Sequence, residues 1–220
     1  MGITAVDGID VALELSGEDR MGTALTRRVT DVCDRIEAAE DDVLLVRLSG
    51  AESEPALPSG IDIHAVNKWE RALRRLERSP VVTLAVVDGV CQGPAAEALL
   101  ATDHRVAHPA ARFRFAAGPD VWPGMALYRL AGQLGHRARR VALLGTELSA
   151  AQALRWGLID EIDDDPESAA ARKAKLLRGA RASGVALRRQ LLAEAATTPF
   201  EEALGSHLAA SDRALRGAER

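Results

Sequence analysis

Residues 79–107 read SPVVTLAVVDGVCQGPAAEALLATDHRVA, and the order of element types within them decides the fold. Val81 to Val87 is an apolar, β-branched run bounded by Pro80 and by Asp88-Gly89, which spells a strand buried on both faces and then a turn. A short extended piece, Val90-Cys91-Gln92, leads into Gly93-Pro94 and the helix-forming run Ala95 to Ala101. Gly93 stands where an N-cap belongs and Pro94 at the first helical position. A buried strand thus delivers the chain to a helix N-terminus, where backbone N–H groups and the positive end of the helix dipole suit an anion or a developing oxyanion. Glu97, in the first turn, is the nearest ionisable side chain.

Upstream, Ile9 to Leu15 alternates apolar and polar residues and predicts a strand with one wet face. Thr23 to Ala39 predicts a helix with Leu25, Val29, Val32, Cys33 and Ile36 on one side, and Val43 to Gly50, VLLVRLSG, a second buried strand. A loop rich in Ser, Glu and Pro then runs from Ala51 to Gly60, a length usually reserved for function. The helix that follows, starting near Ala65, carries Val66, Trp69, Leu73 and Leu76 on one side and Arg71, Arg74, Arg75 and Arg78 around the rest. Two readings of those arginines stand: a solvated face paired with Glu70 and Glu77, or one or two cations that meet the phosphates of a nucleotide-like ligand.

Downstream, His104 to Ala107 and Arg112 to Phe115 read as short strands, and a loop punctuated by Gly118, Pro119, Pro123 and Gly124 holds Asp120 and Trp122. Helices are expected over Met125–Leu134, Arg137–Leu144 and Ala150–Trp156, each stopped by a glycine, and an edge strand over Leu158–Ile162. From Pro166 the pattern is nearly all helical. This divides the chain into an α/β core, residues 1–165, and a C-terminal helical region, residues 166–220.

The chain of 220 residues is 47% apolar, enough for a sizeable core, but only 3% aromatic, too few rings for a base-stacking platform. A net charge of −4 with both signs interspersed argues against nucleic-acid and membrane-surface partners and points to small ligands. Cys33 and Cys91 stand far apart without metal-ligand spacing, and the N-terminus lacks an apolar signal segment, so a cytoplasmic location is expected and no metal. His104 and His108 lie four apart on a strand, where that spacing spreads two ligands instead of converging them. Cys91, ahead of a helix N-terminus, reads either as packing or as a nucleophile. Asp163-Asp164-Asp165 before Pro166 suits a helix dipole better than a cation.

Three blocks together resemble the crotonase (enoyl-CoA hydratase/isomerase) superfamily over about Val11 to Asp212. SGIDI, Ser59 to Ile63, is similar to the family's A-G-x-D loop; VVDGVCQGPAAEALLATDHRVA resembles its glycine-rich segment ending in a helix glutamate; ALLGTELSAAQALRWGLIDEI, Ala142 to Ile162, resembles its third conserved block. The fold implied is α/β, a ClpP/crotonase-like spiral of β-β-α turns whose C-terminal helical region drives trimer or hexamer formation. The chemistry implied is that of an enoyl-CoA hydratase/dehydratase-like lyase. Two backbone N–H groups hold a CoA-thioester carbonyl, and acidic side chains move protons beside the enolate. No cofactor is implied beyond the CoA thioester itself, which is the substrate.

Carried onto this chain, the resemblance names Glu97 as a catalytic acid/base, with Asp120 the nearest candidate for a second carboxylate. It implies that Ser59, Gly60, Ile61, Asp62, Gln92, Gly93 and Trp122 shape the thioester site. The family's two oxyanion donors fall at Pro58 or Ser59 and at or next to Pro94, and proline has no N–H to give. The helix VNKWERALRRLER, the loop WPGMA and the tail from Arg188 resemble more closely the short DpgB-type members of 3,5-dihydroxyphenylglycine biosynthesis. These work beside a type III polyketide synthase. The role implied is dehydration or aromatisation of a polyketide-derived acyl-CoA toward 3,5-dihydroxyphenylacetyl-CoA. The alternative is a non-catalytic partner that binds acyl-CoA or the synthase and raises its output.

Overall fold

The computed structural model describes residues 9, 11–38, 42–51, 62–115, 124–179 and 184–218. The first half alternates strand and helix: β1 Ala12–Ser16, α1 Thr23–Ala38, β2 Val43–Gly50, α2 Ile63–Glu77, β3 Val82–Cys91, α3 Gly93–Leu99 and β4 His104–Ala107. After it come β5 Arg112–Phe113, α4 Ala126–Leu134, α5 Ala138–Leu144, β6 Leu148–Ser149, α6 Ala150–Trp156 and β7 Glu161–Ile162. Helices α7 Pro166–Leu176, α8 Val185–Ala195 and α9 Phe200–Ala218 close the chain. Strands β1, β2, β3, β4 and β7 form one parallel sheet in that order, while β5 adds to the far end of β3 and pairs antiparallel with β6.

Period-two alternation sends successive side chains of the central strands to opposite layers. Leu44, Val46 and Leu48 of β2, with Ala85 and Val87 of β3, pack against α1, α2 and α3. Val43 and Leu45 with Leu84 and Val86 pack against Ala170 and Ala174 of α7. Each fully buried Leu or Val contributes about 1.5–3 kcal/mol of transfer free energy, so two covered faces make these strands the stable centre.

The structure corrects three local expectations. Asp88-Gly89 is not a turn: β3 runs unbroken from Val82 to Cys91, and Gly89, at φ +81°, carries the strand from the large sheet into the small one. A Cβ there would collide with the carbonyl oxygen of Gly50, so glycine is demanded by a close backbone approach within the ladder. The cap of α3 is Gln92, one residue before Gly93. Strand β6, only two residues long, joins the strands expected from the sequence, where so short a run carries no periodicity.

Candidate functional site

Glu97 lies on the inward side of α3, only 8% exposed, although a glutamate in a short helix would ordinarily be in water. The indole N–H of Trp69, on the buried face of α2, donates to its Oε2 at 2.8 Å. Burial pushes the Glu97 carboxyl up to about 7; the Trp69 bond and the Arg129 charge oppose the rise, and the Glu70 charge adds to it. A carboxyl so placed takes up and releases a proton near neutral pH.

Arg129 of α4 forms the adjoining wall. Its side chain is 6% exposed and lies 3.1 Å from Glu70 and 3.6 Å from Glu77, both on α2. The other oxygen of Glu70 accepts from the backbone N–H of Met125 at 3.0 Å, at the cap of α4. Glu70 therefore ties α2 to the start of α4 and is committed to that duty.

Of the residues the sequence nominated, Glu97, Gln92 and Gly93 lie together at the β3–α3 junction, with Gln92 buried and Gly93 at φ +55°. Pro94 occupies the first turn and brings no N–H. Asp62 stands apart as the N-cap of α2, where it accepts from the Ala65 N–H at 2.8 Å; this bond holds its carboxyl below the ordinary range. Ser59, Gly60, Ile61, Asp120 and Trp122 lie outside the described residues, as does Pro58.

The arginine face of α2 is largely an ion-pair face. Arg74 meets Glu77 at 2.7 Å, and Arg75 meets Asp34 at 2.7 Å and Glu37 across the α1–α2 contact. The expected partner Glu70 goes to Arg129 instead. A different pair of cations, Arg27 of α1 and Lys68 of α2, borders a cleft of about 320 Å³ that also presents Thr23, Thr26, Thr30 and Asp31. Lys68 immediately precedes Trp69, so the cleft and Glu97 are served by the same turn of helix. A larger cleft of about 730 Å³ opens at the carboxyl ends of β1 and β2, with no lining residue from α2, α3 or α4. Its cations are engaged, Arg28 by Asp19 at 3.0 Å and Arg47 by Glu167 at 2.7 Å, which leaves a field unsuited to a phosphate.

Cys91 is fully buried and its thiol is pushed up to about 12, which removes it as a nucleophile. His104 sits 3.6 Å from Asp160 and 3.7 Å from Glu161, and no metal-holding group of side chains occurs among the described residues. Asp165 caps α7 through the Ser168 N–H, as the dipole argument anticipated. Sequence reasoning assigned no role to Arg129 and placed Trp69 only in the core. An indole N–H on a buried helix face must find an acceptor, and that requirement was the signal available for Trp69.

Residues 48–215 match the family profile of enoyl-CoA hydratase/isomerase. The chain belongs to this family. An "Enoyl-CoA-hydratase" of Amycolatopsis orientalis is 41% identical over 213 residues, covering 94% of this chain and 96% of that one. A "1,2-epoxyphenylacetyl-CoA isomerase" of Escherichia coli K12 is 38% identical over 98 residues, 42% of this chain and 37% of that one. Among solved structures, a putative enoyl-CoA hydratase/isomerase from Mycobacterium abscessus superposes with a TM-score of 0.78 at 22% identity, covering 92% of this chain and 86% of that one. One from Cupriavidus metallidurans gives 0.76 at 22%, covering 97% and 90%. The fold is thus the α/β crotonase-like fold, and the chain is an enoyl-CoA hydratase/isomerase-like protein. Among its described residues no helix is long and apolar enough to cross a membrane.

Proposed function

We propose that this protein is a dehydratase or isomerase of a polyketide-derived acyl-CoA, acting with a type III polyketide synthase on the way to 3,5-dihydroxyphenylacetyl-CoA. The observation that carries the reading is the buried Glu97, whose carboxyl sits at about 7 beside the Trp69 N–H, its single donor among the described residues. As carboxylate it removes the proton α to the thioester carbonyl, forming an enolate. As the acid thus formed it returns that proton to a departing hydroxyl, so that water leaves and a C=C bond remains. For a double-bond shift the same proton goes back to carbon. A step that ends in an aromatic ring is downhill enough to proceed without a full complement of oxyanion donors.

Arg27 and Lys68, with the hydroxyls of Thr23 and Thr26 in the α1–α2 cleft, offer cations and donors for the phosphates of CoA, and the thioester is the only cofactor-like group the reaction requires. The Escherichia coli relative is named for an arylacetyl-CoA, which suits an aromatic product here. Self-association as a trimer or hexamer draws support from Phe200, Leu204, Leu208 and Leu215, all exposed along α9.

A second reading, an accessory partner that binds acyl-CoA or the synthase without catalysis, is favoured by Pro94, which removes an N–H from the helix end beside Glu97. One experiment separates the two. The synthase is supplied with malonyl-CoA, and 3,5-dihydroxyphenylacetyl-CoA is quantified with the wild-type protein and with Glu97→Gln. Loss of stimulation in the variant is expected; equal stimulation would exclude Glu97 from the chemistry and leave the accessory role.

A further inference from the structure

We infer that Trp69 is the positioning residue of the Glu97 acid/base: its indole N–H ties down Oε2, so that the proton in transit travels on Oε1. The inference rests on the reading of Glu97 as the proton-moving group. Trp69 is completely buried, its nitrogen is a donor only, and its 2.8 Å bond to Oε2 is the one hydrogen bond to the Glu97 carboxyl among the described residues. The indole is itself held. Leu73 and Leu76 on the same face of α2 are fully buried, and Glu70, next to Trp69, is clamped to Arg129 and to the Met125 N–H.

A carboxylate accepts on either oxygen, but in the neutral acid the carbonyl oxygen is the better acceptor and the hydroxyl oxygen carries the proton. An N–H fixed on Oε2 makes Oε2 the carbonyl oxygen and Oε1 the one that is protonated. The tether therefore selects which oxygen takes the substrate proton and returns it, and it keeps both steps at one point in space. Free rotation of the carboxyl would let the proton be taken at one position and offered at another. The charged groups that face Glu97 are Glu70 from α2 and Arg129 from α4, and neither supplies that directionality, because neither touches it with a hydrogen bond.

The test replaces only the donor. β-(3-Benzothienyl)alanine, incorporated at position 69 of the full chain, keeps the indole shape with sulfur in place of N–H, and Trp69→Phe is the encoded counterpart. Two readouts are taken: the carbon-13 carboxyl titration of Glu97 without substrate, and solvent-deuterium exchange at the α-carbon of phenylacetyl-CoA as probe. Loss of a hydrogen bond to the charged form should weaken the Glu97 acid about tenfold or more, moving its midpoint and the acid limb of the pH–rate profile upward together. The exchange rate at saturation should fall at least tenfold while KM stays within about twofold, as for an interaction that matters in the transition state. An unchanged midpoint and an unchanged rate in the benzothienyl protein would overturn the positioning role and leave Glu97 catalytic. Wild-type exchange by Glu97→Gln would overturn both, since no proton would then travel on Glu97.

Discussion

The indole nitrogen of Trp69 and Oε2 of Glu97 stand 2.8 Å apart, joining α2 to α3 inside the core. Among the described residues that bond is the single donor to a desolvated acid, and the poise of the carboxyl follows from it. A carboxylate with several N–H partners would have been driven well below neutrality, and one with none would have stayed protonated.

This geometry makes Glu97 a stability liability at neutral pH. Its carboxyl titrates near 4.5 in an unfolded chain and at about 7 in the folded one. Below the lower value it is neutral in both states; between the two the folded state holds a proton that the unfolded state has released, so stability falls as pH rises through that window. Above about 7 the penalty is constant, on the order of 3 kcal/mol. Glu97→Gln should therefore lose activity yet unfold at higher denaturant than wild type at pH 8, with the gap closing toward pH 4. Coincident wild-type and variant curves across that range would show that the carboxylate is not desolvated.

The cleft between α1 and α2 makes a prediction of a different kind. Exposed cations gain only about 0.2–1 kcal/mol per ion pair, so removing both Arg27 and Lys68 by alanine should raise KM for an acyl-CoA severalfold and leave kcat alone. The same double variant should treat an acyl-pantetheine thioester, which lacks the nucleotide, as wild type does. An equal KM increase for both substrates would place the CoA phosphates elsewhere.

Gly89 supports β3 at a spot where any side chain collides. With φ at +81° and the Gly50 carbonyl oxygen standing where a Cβ would go, Gly89→Ala should cost at least about 2–3 kcal/mol and lower Tm by roughly 5–10 °C. Gly132 in α4 has open space around it and serves as the control; Gly132→Ala should be neutral or stabilising by about 0.5–1 kcal/mol. Calorimetry of the two variants side by side distinguishes a local clash from a general effect of replacing glycine.

The fold was legible wherever side-chain period and breaker residues agreed. VLLVRLSG and VVTLAVV are apolar at both parities, which only a strand covered on two faces requires, and Gly145 and Gly157 stop their helices in the left-handed conformation. Asp88-Gly89 misled because the same dipeptide that makes turns also permits the positive φ of a strand that changes sheets. At the site, Glu97 was legible from its place in the strand–helix block, whereas its partner was not. Trp69 lies 28 residues away in sequence, and only the packing of α2 against α3 reveals that its N–H has one acceptor. Arg129 was hidden in the same way, since its two carboxylates come from a helix more than fifty residues earlier.

Arg105 shows how the scaffold keeps α3 in place without entering the chemistry. Its side chain is buried, yet among the described residues no carboxylate takes it as a hydrogen-bond partner. The guanidinium donates to the carbonyl oxygens of Thr102 at 2.9 Å, Leu158 at 3.0 Å and Leu100 at 3.4 Å, and to Oε1 of Gln133 at 2.8 Å. Two of those carbonyls lie just past the C-terminus of α3, where helix-end carbonyls lack partners and a cation is favoured by the dipole. Arg105→Met fills much of the volume but leaves the buried carbonyls of Thr102 and Leu158 without this donor, at about 1–3 kcal/mol each, while Leu100 keeps the Gln133 amide; a loss of about 2 kcal/mol or more is expected. Arg105→Lys should recover part of it, since a single ammonium reaches fewer of the acceptors. Arg105 is not among the charges that shift Glu97, so in the Lys variant the acid limb of the pH–rate profile should stay where it is in wild type even as the unfolding midpoint drops. If the limb moved with the midpoint, the anchoring of α3 and the poise of its carboxylate would be one property instead of two.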